Sequence, residues 1–82
     1  MAATHNTWTP TQGRYLAFIY AYTRLHGRPP AEVDLQMYFK VTPPSVHQMV
    51  LTLERKGFIR RTPGVARSIE LLVAPDSLPG LS

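Results

Sequence analysis

Two pairs of adjacent prolines, Pro29-Pro30 and Pro43-Pro44, constrain this chain more than any other feature. A proline has no N–H to donate into a helix interior, and it biases the residue before it away from helical backbone. The first pair therefore forces a break, and the second can stand only at a helix start. The segment before the first pair carries a full set of helix signals. Thr9 can cap, Pro10 suits the first helical position, Gln12 completes a capping box and Gly27 stops the helix. Tyr15, Phe18, Ile19, Tyr22 and Leu25 repeat at helical spacing, so the pattern predicts a helix over 10–26 with one apolar face. Leu16 and Tyr20 point away from that face. They read either as isolated surface apolars or as a homodimer contact. Trp8 is expected to pack back onto the helix start, at the end of a loose arm over 1–8.

Between the proline pairs, residues 31–39 read as a short second helix with Glu32 and Asp34 in its first turn, where the helix dipole favours acids. Lys40-Val41 connects it to a third helix over 43–56, capped by Thr42 and closed by Gly57. Val46, Met49, Val50 and Leu53 give that helix one buried stripe. Phe58 to Thr62 then reads as a strand. Pro63-Gly64 fits the centre of a type II turn, and Ile69 to Val73 reads as the return strand. The hairpin tip is expected over Thr62 to Ala66. Residues 74–82 hold two prolines, a glycine and two serines and read as a frayed tail. Three helices followed by a hairpin make a mainly α winged helix-turn-helix domain over 9–73.

A chain of 82 residues supports one modest core. No apolar run approaches the roughly 20 residues of a membrane span, and no secretory signal is expected at the N-terminus. The chain has no cysteine, which rules out disulfides, cysteine zinc sites and thiol chemistry, and makes the cytoplasm (the nucleoid, in a bacterium) the default location. No enzyme is expected. Glu32 and Asp34 face different sides of a short helix, and there is no phosphate-binding glycine loop and no nucleophile motif. His5, His26 and His47 lack metal-ligand spacing, so neither metal nor cofactor is expected.

Charge points to a polyanion. Nine Lys and Arg outnumber five Asp and Glu, for a net charge of +4. Arg55, Lys56, Arg60, Arg61 and Arg67 fall within thirteen residues that contain no acid. At about 100° per residue, the stripe of the third helix leaves Pro44, Gln48, Leu51 and Arg55 pointing outward, flanked by Ser45, His47 and Thr52. A helix of this kind fits the major groove of duplex DNA, and Gln48 can make two hydrogen bonds to one adenine. Arg60, Arg61 and Arg67 on the hairpin can grip phosphates or enter the minor groove. The alternative is a protein–protein module that docks a partner on Leu51, Pro44 and Tyr38. Tyr15, Phe18 and Tyr22 read as core rather than as a stacking platform for single strands.

Four stretches carry a family resemblance: Thr9 to Gln12, Gly27 to Pro30, Leu53 to Ile59, and Ala66 to Leu71. From about Thr9 to Val73 the chain resembles the N-terminal DNA-binding domain of LexA repressors. The start of the third helix, Thr42 to Val46, is also similar to metal-dependent repressors of the diphtheria-toxin-repressor type. The LexA resemblance implies a repressor whose third helix reads operator DNA, with base-contacting positions falling on Thr42, Pro44, Ser45, His47 and Gln48. Two departures stand out. The link between the second and third helices is about one residue shorter, and Pro44 replaces a polar, base-reading side chain. The operator therefore does not carry over. The self-cleaving Ser/Lys domain of that family is absent from these residues, and no autoproteolysis is expected.

Overall fold

The structure, a computed structural model, describes residues 8–79. Of the expected arm, only Trp8 falls among them. The chain forms α1 (Pro10–His26), α2 (Glu32–Phe39), α3 (Pro43–Arg55), a hairpin of β1 (Ile59–Arg60) and β2 (Glu70–Leu71), and a 3-10 turn at Pro75–Ser77. It is the winged helix-turn-helix arrangement, mainly helical with an antiparallel two-stranded wing. No described helix is long and apolar enough to cross a membrane.

The helix ends follow from local chemistry. At α1, Thr9 Oγ1 accepts from the Gln12 amide at 3.1 Å and Gln12 Oε1 accepts from the Thr9 amide at 2.9 Å, a complete capping box. Asp34 Oδ2 accepts from the Ala31 amide at 2.8 Å and so caps α2. The turn between α2 and α3 rests on Lys40, which is left-handed at φ 56° and donates to Gln36 O at 2.9 Å. Thr42 Oγ1 accepts from the Ser45 amide at 3.3 Å, and Pro43 follows at the first helical position.

The core joins all these elements. Tyr15, Leu16 and Ile19 from α1 meet Leu35 from α2, Val46, Val50 and Leu53 from α3, and Phe58, Ile59 and Ile69 from the wing. Tyr15 stacks on Phe39 at 4.1 Å between ring centres, which joins α1 to the end of α2. Trp8 meets Phe58 edge-on at 5.4 Å, and a Cβ on Gly13 would lie 3.0 Å from its Cδ1. The expected staple is thus present, with Gly13 providing the room.

Three expectations are corrected. Leu16 is fully buried and cannot serve a dimer contact, while Leu25, expected in the apolar face, is 79% exposed. The reason is that α1 is covered on two sides, by Phe39 of α2 and by β2, while its last turn projects beyond the core. The strands are also shorter than expected. Beyond Arg60 the side chain of Ser68 replaces the ladder, since its hydroxyl accepts from the Thr62 amide at 3.0 Å and donates to Val65 O at 2.8 Å. The Pro63-Gly64 turn is as read, with the Val65 amide donating to Thr62 O at 3.1 Å and Gly64 at φ 78°. Leu78 packs on the core and Pro79 approaches Gly13.

Candidate nucleic-acid interface

The inner row of α3 is buried at Val46, Val50 and Leu53, so its outer row faces solvent. Thr42, Pro44, Ser45, His47, Gln48 and Arg55 are exposed there, and Thr52 is half-buried. Pro44, Ser45, Gln48 and Thr52 share a shallow hollow with Gln12 of α1, about 450 Å³ in volume. Ser45, Gln48 and Thr52 therefore lie along one open strip carrying amide and hydroxyl groups, the chemistry that reads base edges. Leu51 is half-buried rather than protruding, which takes the centre out of the patch that a protein-docking role required.

The cations divide by what they touch. Arg55 and Lys56 are exposed at the end of α3, with no carboxylate partner among the described residues. Arg60 lies across the ladder from Glu70 and bonds it at 2.6 Å, with the two side chains 65% and 59% exposed. A pair so solvated contributes at most about 1 kcal/mol, so a phosphate can displace the carboxylate. Arg61 Nε donates to Glu54 at 3.1 Å in a more sheltered setting and ties the wing to the last turn of α3. His47 Nδ1 stands 3.3 Å from both oxygens of Glu32, so α2 places an acid beside the reading surface.

Arg67, read from the sequence as a third phosphate grip, is turned inward. Its Nη1 lies 2.9 Å from Asp34 Oδ2, 3.1 Å from the Tyr22 hydroxyl and 3.4 Å from Pro29 O. The hydrogen bond to Tyr22 is the leading cause that holds the guanidinium pKa above its ordinary value; burial opposes it, and Asp34 adds a smaller contribution. Sequence reasoning missed Asp34 and Tyr22 as its partners, and also Glu54, Glu70 and Glu32. Glu70 is a cross-strand neighbour, Glu54 sits seven residues back across the turn out of α3, and the others are long-range, so none follows from helical or strand spacing.

A family model described as the LexA DNA binding domain matches residues 5–68. The chain belongs to that family. The match takes in all three helices, β1 and the wing tip, and ends just before β2. The chain is 40% identical over 70 residues to a LexA repressor of Thermosipho africanus, and 39% identical over 70 residues to one of Thermosipho melanesiensis. Both alignments cover 85% of this chain but 35% of the relative, so the chain spans about a third of the length of these LexA repressors. It is a LexA-type DNA-binding domain.

Proposed function

We propose that this LexA-type domain binds a specific duplex sequence and represses transcription there. In this reading α3 lies in the major groove, with Ser45, His47, Gln48 and Thr52 toward base edges and Thr42 and Pro44 at the groove entrance. Arg55, Lys56 and Arg60 hold phosphates, and Arg61, bonded to Glu54 through Nε alone, offers its Nη groups to a fourth. The observation that carries it is the outer strip of α3, where Ser45, His47 and Gln48 stand exposed and polar, with four cations following from its C-terminal end into the wing. Pro43 and Pro44 each remove an amide from the helix start, which weakens phosphate binding by the helix terminus and leaves base reading by the side chains intact.

The phosphate contacts have a numerical signature. Four neutralised phosphates give a slope of about −3.6 for log affinity against log salt, so a fourfold rise in salt weakens binding roughly a hundredfold. Arg60→Ala is expected to weaken binding to every duplex and to reduce the slope by about one. Fluorescence anisotropy on a labelled duplex at several salt concentrations measures both. An unchanged slope would remove Arg60 from the contact set.

A further inference from the structure

We propose that Arg67 is the positioning residue of the wing, holding it against α1 and α2 through Tyr22 and Asp34, rather than a DNA contact. The inference rests on the DNA-binding reading for its functional consequence but not for its structural part. A hairpin with two residue pairs in its ladder is marginal by itself; Phe58, Ile59 and Ile69 anchor its base in the core, and the part beyond them depends on polar ties. Ser68 ties the wing to itself, through Thr62 and Val65. Arg61 ties one arm of the wing to Glu54 on α3. Arg67 ties the other arm to three separate places: the Tyr22 hydroxyl on α1, Pro29 O in the link after α1, and Asp34 on α2.

Two details make this more than an incidental ion pair. Arg67 is left-handed at φ 56°, an uncommon conformation for a residue with a side chain, and this kink lies between the wing tip and β2. Asp34 Oδ2 is the acceptor for both the Arg67 guanidinium and the Ala31 amide that begins α2. One oxygen therefore serves the wing and the first helix of the helix-turn-helix pair, so the two cannot shift independently without breaking a hydrogen bond to a charged group. The wing is thereby held from both sides, with Arg60 and its exposed partner Glu70 on the outer surface.

The test uses the whole chain and the variants Arg67→Gln, Asp34→Asn, the double variant and the milder Tyr22→Phe. Each of the first two is expected to lose about tenfold in affinity for the preferred duplex, the scale of one hydrogen bond to a charged group. The salt slope should stay that of the parent, and the double variant should be no weaker than the weaker single one, because both remove the same link. Tyr22→Phe should lose less, in the same direction. Amide hydrogen exchange on the free protein should quicken at Thr62 and Val65 and stay slow at Val50. Asp34→Asn is the sharpest arm. If the carboxylate were only a repulsive charge near DNA, its removal would tighten binding. Equal or tighter binding by Asp34→Asn, a slope reduced by about one in Arg67→Gln, or multiplying losses would each overturn the proposal. Should the parent chain bind no duplex at all, the functional reading fails, and the exchange rates alone decide whether Arg67 holds the wing.

Discussion

Leu53→Ala is expected to destabilise the domain by about 2–5 kcal/mol, the range for emptying a fully buried leucine site. Leu53 has no exposed surface and sits on the inner row of α3, between the other helices and the wing. Its backbone carbonyl also accepts from the Phe58 amide at 3.0 Å, so the helix end and the wing entry both rest on its position. Small domains shift by roughly 4–8 °C in Tm per kcal/mol, so a fall of about 10 °C or more is expected in a thermal melt. Leu25→Ala, at an exposed site, should stay within about 0.5 kcal/mol of the parent. Comparable losses in the two variants would contradict the packing described here, and would return Leu25 to the apolar face that its spacing suggests.

Gln48→Ala acts on binding rather than on folding. Gln48 is exposed on the outer strip of α3 and makes no side-chain hydrogen bond within the described protein, so its amide is free for a base edge. Its removal is expected to cost about 1–3 kcal/mol at the preferred duplex and to relax discrimination at one base pair. The melting temperature should hardly move. Selection from a random duplex pool, followed by binding measurements on single-base variants, reads the effect. Equal losses on all sequences would make Gln48 a backbone contact and leave base reading to its neighbours.

The contrast between these two residues shows what could be read from the sequence and what could not. The bounds of α1, Pro10 and His26, coincide with those expected because its cap, capping box and terminal glycine act within a few residues of chain. The same holds for Thr42 at the start of α3 and for the Pro63-Gly64 turn. The inward stripe of α3 was legible because one face of that helix is buried and the other is not. On α1 periodicity was less informative. It marks the middle of a buried face but not its width, which here is extended to Leu16 because α1 is covered by both α2 and β2.

The wing was hardest to read. A two-residue turn at Pro63-Gly64 with unbroken pairing would put Arg67 opposite Arg60. The observed partner is Glu70, three residues further along (70 against 67), because Arg67 kinks out of the strand toward Asp34. The difference replaces a like-charge pair with an ion pair and sends one arginine inward. It depends on Tyr22 and Asp34, which are 45 and 33 residues away in the chain. A count of basic residues along the hairpin carries no trace of it. The same limit applies to Glu54 and Glu32, whose places beside Arg61 and His47 follow from helix packing and not from spacing.

The central claim is that the open strip of α3 meets the duplex, and site-specific photocrosslinking tests it most directly. A benzophenone side chain is introduced in place of Gln48 in one preparation and in place of Arg24 in another. Arg24 lines a separate hollow between α1 and β2 that no α3 residue borders. Irradiation with a bound duplex should crosslink DNA from position 48 and leave position 24 uncoupled. Crosslinks from position 24 with none from position 48 would place the nucleic acid at the hollow between α1 and β2 rather than on α3 and contradict the account.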